Sequence, residues 1–313
     1  MLDQITPVVL TRNEAANIGR TLERLSWARD IIVVDSFSTD DTVEIISGFP
    51  QARVYQRVFD AHEIQWNFGL EETGITSEWV LALDADYMLT PEFVNELKLL
   101  KPDSVNGYRA KFTYCINGRP LRSGVYPDVT VLYRRAAARY VQDGHTQRVA
   151  IEGRVETLGS RILHDDRKPL SRWFESQQRY TPMEATKLLA ANQDELTWID
   201  RIRRWRVVAP VGVLFYCLFM RGGILDGWPG FYYAFQRMMA ELILSLYLLD
   251  NDLRGIGHRE AEAPRKADYS DDPQIEAAWE QEILDRIEAV DNGAPVGVSL
   301  DDVMSEAENR LTP

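Results

Sequence analysis

Two aspartates one residue apart, Asp84 and Asp86, close the apolar run "LALDAD" at positions 81–86. Burying a carboxylate pair at the end of a hydrophobic segment is costly unless something compensates its charge. On a strand, residues i and i+2 face the same side, so both side chains are expected to converge on one point. Like charges that close repel unless a cation sits between them or one is protonated. Hard oxygen ligands of this kind suit Mg2+ or Mn2+ held together with substrate phosphates. D-x-D alone is common, and a solvated strand end with capping aspartates is the plainer alternative. Asp35 ends a second apolar run, "IIVVD", and opens "DSFSTDDT". A carboxylate there suits hydrogen bonds from a base or ribose. Capping of the next helix suits Asp40 or Asp41 better than Asp35. No G-x-G-x-x-G and no G-x-x-x-x-G-K-[ST] occurs, so dinucleotide oxidoreductase and P-loop readings lose support.

The elements that must position these carboxylates alternate. Ile5 to Thr11 is a β-rich run, and "IIVVD" reads as a strand buried on both faces. "ARVYQ" and "EWVLALD" are the third and fourth strands. Between them lie a helix with Ile18, Leu22 and Leu25 at helical spacing, one through Val43 and Ile46, and one over Glu63 to Glu72. Asn13 is placed to cap the first helix. The βαβαβαβ order predicts an α/β, doubly wound, mostly parallel sheet, with ligands beyond the carboxyl ends of the strands. Asp35 and Asp84 both stand at such ends. The stretch from Asn106 to His164 is Gly-punctuated and reads as hairpins and loops completing the sheet. From Leu170 the chain turns helical.

Charge is unevenly spread over the 313 residues, whose formal net charge is -13. Positions 250–313 hold 17 acidic and 6 basic residues, a net -11, which leaves -2 for positions 1–249. The acidity therefore belongs to the tail and gives no global repulsion of anionic partners. No basic face with interleaved aromatics precedes Arg201, which argues against nucleic acid as a partner. Cys115 and Cys217 form neither a disulfide pattern nor a metal spacing. The start, "MLDQITPVVLTRNE", lacks the basic flank and apolar core of a signal peptide, so a reducing, cytoplasmic setting is expected.

Positions 201–249 differ in character. "RIRRWR" sets four arginines around Trp205, and Val207 to Met220 then runs 14 residues without a charge. A spanning helix needs about 20 apolar residues, and this stretch also contains Pro210 and Gly212. A basic, Trp-bearing flank beside an apolar segment suits a helix lying in a membrane interface. A buried helical hairpin or a dimer contact would give the same hydropathy. The tail holds two candidate helices, one with Ile275, Trp279, Ile283 and Ile287 at i, i+4 spacing and one after Ser299. Three regions follow: 1–170 as the catalytic domain, 171–249 as a helical region suited to a membrane interface, and 250–313 as an acidic tail with short amphipathic helices.

"TPVVLTRNEAANIGRTLERL", "IIVVDSFSTDDT", "QWNFGL" and "WVLALDADYMLTPE" occur in that order and spacing, and together they resemble the family 2 glycosyltransferases. The later "VYPDVTVLYRR", "GHTQRVAIEGRVETLGSRILHDD" and "GGILDGWPGFYYAFQR" resemble the branch that includes lipopolysaccharide-core glucosyltransferases. The resemblance implies a GT-A fold with a C-terminal helical appendage, and inverting transfer of a sugar from a UDP-sugar with Mg2+ or Mn2+. It implies that Thr11, Asn13, Glu14 and Asp35 hold the nucleoside, that Gln65 and Asn67 lie near the donor, and that Asp84 and Asp86 form the D-x-D. Asp86 is then the more direct metal ligand. His164, in "ILHDDRK", is a candidate for the same metal or for the diphosphate, with Arg167 or Lys168 neutralising phosphate; an exposed, salt-bridged turn is the plainer alternative for that cluster.

Related enzymes carry an acidic residue on the acceptor side as general base. Here Thr146 stands at that place in "QDGHTQ", which leaves Asp143 first and His145 second as candidates. A turn-forming Asp-Gly would explain Asp143 equally well. The expected acceptor is a hydroxyl of a surface glycan or lipid-linked sugar at the inner face of the cytoplasmic membrane, with a homo-oligomer possible. Two rivals share these motifs. One is a polyprenyl-phosphate glycosyl synthase, which uses a phosphate acceptor. The other is a non-catalytic sugar-nucleotide-binding assembly subunit, against which the retention of both D-x-D aspartates argues. A nucleotidyltransferase would carry a Gly-rich basic loop after the first strand, and "TRNEAAN" is not one.

Overall fold

In the computed structural model, the described residues are 1–143, 146–192 and 196–261. Met1–Gly255 form one compact unit. The two tail helices expected after position 270 lie outside the described residues.

Four strands build a parallel half-sheet: β1 (Ile5–Thr11), β2 (Ile31–Asp35), β3 (Ala52–Gln56) and β4 (Trp79–Asp84), in the order β3-β2-β1-β4. Every residue of β2 is buried, as a strand apolar on both faces requires. Alternate residues serve two cores. Val9, Ile31, Val33, Leu81 and Leu83 face one side and Val8, Ile32, Val34, Val80 and Ala82 the other. Helices α1 (Ile18–Glu23) and α2 (Thr42–Ser47) pack on the first side through Ile18, Leu22 and Ile46, and α3 (His62–Glu71) packs on the second through Trp66 and Leu70. A Cβ on Gly69 would meet Val8 at 3.1 Å and Val34 at 3.4 Å, so this glycine lets α3 lie close on the sheet.

Beyond β4 the sheet becomes mixed. The turn at Ala85 and Asp86 leads into β5 (Tyr87–Leu89) and α4 (Pro91–Leu99), which Thr90 caps through Phe93 N. Then come β6 (Gly107–Ile116), β7 (Arg119–Pro120) and β8 (Val129–Arg134), followed by β9 (Ala138–Asp143), β10 (Thr146–Ile151) and β11 (Val155–His164). The full order is β3-β2-β1-β4-β8-β6-β11-β5, with β7 beside β6 and β9-β10 as a separate pair. β8 is antiparallel to both β4 and β6, β5 is antiparallel to β11, and β6 and β11 are parallel. Parallel pairing thus dominates the first half, where helices make the crossovers; short connections bring antiparallel strands into the second.

The remainder is helical: α5 (Leu170–Ala190), α6 (Trp198–Arg203), α7 (Val208–Phe215) continued by a π turn (Tyr216–Met220), a 3-10 turn (Gly223–Asp226) and α8 (Trp228–Ala261). No described helix is long and apolar enough to cross a membrane. The architecture is α/β with a C-terminal helical appendage, as expected from the sequence, but the sheet is mixed rather than mostly parallel, because β8 and β5 pair antiparallel with their neighbours.

Candidate functional site

β1 sits between β2 and β4, so the chain leaves its carboxyl end in one direction and returns from the other. The crevice at that switch point is where an open parallel sheet binds its ligand. Register places Leu10 beside Asp84 and Thr11 beside Asp35. A cavity of about 560 Å³ opens there, lined by Thr11, Asn13, Glu14, Gln65, Asp84 and Asp86. Six of the residues singled out in the sequence are therefore gathered at one site.

The two D-x-D carboxylates converge by a different route from the expected one. Asp84 is the last residue of β4, but Asp86 lies in the turn before β5, not two residues along a strand. The turn, rather than the period of two, aims both at the cavity. Burial, then the neighbouring charge of Asp86, raises the pKa of Asp84 to about 6. Burial also pushes Asp86 upward, but the charge and hydrogen bond of His164 outweigh it and hold Asp86 below its ordinary value.

His164 reaches Asp86 because β11 runs antiparallel to β5, with His164 in register with Tyr87. Its Nε2 is 3.0 Å from Asp86 Oδ2. The rings of Tyr87, Tyr114 and Tyr126 stand edge-on around the imidazole, with centroids at 5.3, 4.9 and 4.7 Å. Burial lowers the histidine's pKa, yet Asp86 more than offsets this and leaves it raised. Asp86 Oδ1 and His164 Nδ1 are buried with no hydrogen-bond partner among the described residues, and such orphans ask for one. Among the described residues no group of three or more His, Cys, Asp or Glu side chains is arranged to hold a metal ion. A smaller set of protein donors completed by diphosphate oxygens is one that a hard cation also takes, and the orphaned atoms of Asp86 and His164 are of the right chemistry for it.

The segment after His164 is salt-bridged and exposed at Asp166 and Arg167, but it is anchored from within. Asp165 is buried and pairs with Arg20 at 2.7 Å and Arg167 at 3.0 Å, and it accepts from Gly118 N at 2.8 Å. Asp166 accepts from the buried Asn17 at 2.8 Å. Lys168 Nζ reaches Glu14 Oε1 at 2.7 Å and lines the cavity, whereas Arg167 is spent on Asp165. Burial raises the pKa of Glu14 to about 7, against the lowering effect of Lys168.

Asp35 is fully buried and lies outside the cavity lining. Its Oδ1 accepts from Thr11 and Ser38 hydroxyls at 2.9 and 2.5 Å, and its Oδ2 accepts from Ser38 N at 2.9 Å and Gln56 Nε2 at 3.4 Å. Four donors fill a carboxylate's acceptor sites, so in this arrangement Asp35 braces Thr11 and the following loop. Asn13 does not cap α1. It adopts a left-handed φ of 54° and binds the same loop, with its N donating to Ser38 Oγ and its Oδ1 accepting from Thr39 N, both at 2.8 Å. Asp41 stands at the N-cap of α2 without a side-chain capping bond, and Asp40, one residue earlier, accepts from Thr42 N at 3.1 Å.

Gln65 is buried and lines the cavity, bonded to Ser36 Oγ at 3.1 Å and Arg57 Nη1 at 2.9 Å. Asn67 stands apart, exchanging two hydrogen bonds with the backbone of Tyr140 at 3.0 and 2.9 Å, which ties α3 to β9. Asp143 ends β9, opposite Thr146 of β10; its side chain, and all of His145, lie outside the described residues.

Sequence reasoning expected a helix from Leu170 but missed that α5 lines the site. Arg172, Glu175, Ser176, Arg179 and Tyr180 line the cavity at i, i+3, i+4, i+7 and i+8, one helix face, and that polar periodicity was the available signal. It also missed a second cavity of about 970 Å³, lined in part by Trp66, Tyr87, Arg109, Tyr126, Asp128 and Tyr140. Asp84, His62 and Tyr180 border both cavities, so the two meet at the D-x-D.

Residues 7–140 match the family described as "Glycosyl transferase family 2". An uncharacterized glycosyltransferase of Rickettsia felis is 34% identical over 100 residues, 32% of this chain and 34% of that protein. The chain thus matches about a third of that curated relative's length. The lipopolysaccharide core biosynthesis glycosyltransferase LpsC of Rhizobium meliloti is 24% identical over 255 residues, 74% of this chain and 89% of that protein. Among solved structures, Staphylococcus aureus TarS residues 1–349 in complex with UDP is similar with a TM-score of 0.42 and 15% identity, over 86% of this chain and 94% of that one.

Proposed function

We propose, from the premise that this chain carries a family 2 glycosyltransferase domain over residues 7–140, that it moves a sugar from a UDP-sugar to a hydroxyl group with inversion at the transferred carbon. The observation that carries this reading is the meeting of two cavities at Asp84. One has the polar lining a nucleotide needs. The other combines aromatic walls, Trp66, Tyr87, Tyr126 and Tyr140, with polar groups such as Arg109 and Asp128, which suits an acceptor sugar.

The nucleoside lies against Thr11, Asn13, Glu14 and Gln65. Asp84, Asp86 and His164 are the groups that would hold Mg2+ or Mn2+. When bound, the cation would neutralise charge on the leaving diphosphate oxygens. Lys168, Arg172 and Arg179, on the same wall, add positive charge for the leaving group. The acceptor enters from the second cavity, and inversion requires its hydroxyl to meet the sugar on the side opposite the diphosphate. Asp143, or His145 after it, removes the hydroxyl proton. The acceptor is a cell-surface glycan or lipid-linked sugar of the lipopolysaccharide-core kind, met at the inner face of the cytoplasmic membrane. The similarity to LpsC over most of the chain supports that class.

A panel of UDP-sugars assayed for UDP release, with Mn2+ or Mg2+ and with chelator, tests the reading. Cation-dependent release that rises with a glycan acceptor is expected. UDP-sugar binding without hydrolysis or transfer across the panel would replace it with a binding role. Full transfer in Asp143→Asn or His145→Ala would remove that residue as the base.

A further inference from the structure

The helical appendage has one packed side and one bare side. Cys217, Leu218, Tyr233 and Ala234 are buried against Leu121. On the other side Val211, Phe215, Phe219, Met220, Leu225 and Trp228 are between 57% and 84% exposed. Val211, Phe215 and Phe219 recur every fourth residue, which is one helical face. The bare stripe continues along α8 through Phe235, Leu242 and Leu246. A contiguous apolar face of this kind marks an interaction surface.

Charge selects the occupant. Positions 201–249 hold six arginines and two acidic residues, a net +4 on a chain of net -13. Both acidic residues are already engaged. Glu241 is bound by Arg203 at 2.6 Å, and Asp226 accepts from Arg122 N, Ser123 N and Ser123 Oγ at 3.2, 2.9 and 2.7 Å. Trp205 and Trp228, 67% and 84% exposed, flank the apolar segment, where amphipathic rings favour the headgroup level. Arg203 is paired with Glu241 and Arg206 with Asp252, whereas Arg204 and Arg221 bond backbone carbonyls and keep their charge; that charge beside the apolar face matches an anionic lipid surface.

The packed side reaches the candidate site. Asp226 holds residues 122 and 123, Arg221 donates to Gly124 O at 3.1 Å, and Tyr233 OH accepts from Val125 N at 2.9 Å. The next three residues, Tyr126, Pro127 and Asp128, line the second cavity. We infer that α7, the π turn and the start of α8 lie in the headgroup region of an anionic bilayer, and that this seats the second cavity beside the lipid surface. The inference rests on the reading above only for what enters that cavity.

Flotation of the full chain with phosphatidylcholine vesicles, with and without phosphatidylglycerol, tests the surface. The chain should float with the anionic vesicles, less so at high salt, and Phe215→Glu/Phe219→Glu should reduce the floated fraction about tenfold or more. Met220→Glu/Leu225→Glu is the second variant should the first not fold, as judged by circular dichroism and melting. Undiminished flotation of a folded variant overturns the inference. So does a wild type that stays soluble with both vesicles, or a dimer that the variants convert to monomer without any lipid binding. UDP release measured without vesicles should be unchanged in the variants; its absence in wild type and variants alike would count against the transferase reading, not against the lipid surface.

Discussion

His164 Nε2 lies 3.0 Å from Asp86 Oδ2, joining residues 78 positions apart across the β5–β11 pair. Each partner keeps one buried polar atom without a hydrogen bond among the described residues. If the pair is a cation site, Asp86→Asn should abolish the Mn2+-induced rise in melting temperature and lower UDP release about 100-fold or more. His164→Ala should weaken Mn2+ binding roughly 10- to 100-fold, read by titration calorimetry with UDP present. Unchanged Mn2+ affinity in His164→Ala would remove the histidine from the site.

The acid–base balance of the cavity sets a direction for stability. Asp84 and Glu14 have pKa values raised to about 6 and about 7 by burial. A carboxyl so raised binds more protons folded than unfolded, so stability falls as pH rises between its ordinary and raised values. His164, raised by Asp86 against burial, adds stability at low pH that is lost as pH climbs through its folded value. All three act in one direction as pH rises, the two carboxyls up to about pH 6 and about pH 7. In chelator, the melting temperature should be lower at pH 8 than at pH 6, and Glu14→Gln should flatten the fall. A divalent cation should stabilise more at pH 8. Equal melting at both pH values, and equal cation effects, would contradict this.

Asp35 accepts four hydrogen bonds from its own chain. Removing it strands buried donors, at a cost of about 1–3 kcal/mol. Asp35→Ala should lose that much stability in urea unfolding. A loss of UDP affinity with stability intact would assign Asp35 to the nucleoside instead.

Tyr233 joins the appendage to the loop before the second cavity through Val125, and its ring lies 5.0 Å from that of Tyr114. Tyr233→Phe keeps the ring and removes the hydroxyl. The expected result is a several-fold rise in acceptor KM with donor KM unchanged. Equal changes in both would show that the clamp serves the fold at large.

The parallel half-sheet was legible because its signals are local. "IIVVD" and "EWVLALD" are apolar throughout, and only burial on both faces accommodates that; alternate residues of each strand then belong to separate cores. Asp35 and Asp84 could be placed at strand ends from the pattern alone, whereas Thr11, Asn13 and Glu14 were singled out by the family resemblance. The sequence likewise marked positions 201–249 as apolar and basic.

Spacing could not tell which side chains are already engaged. Asn67 is committed to Tyr140, Asp35 to Thr11 and Ser38, and Asp165 to Arg20, through contacts across 73, 24 and 145 positions. Periodicity reports neighbours within about four residues, whereas these partners are chosen by strand order and register. The same holds for Asp86, which reaches the cavity from a turn, and for His164, which meets it only because β11 pairs with β5. Residue types and local pattern therefore determined the class of fold and the chemistry available. The tertiary structure decided which residues share the cavity, because hydrogen bonding and burial act across space and not along the chain.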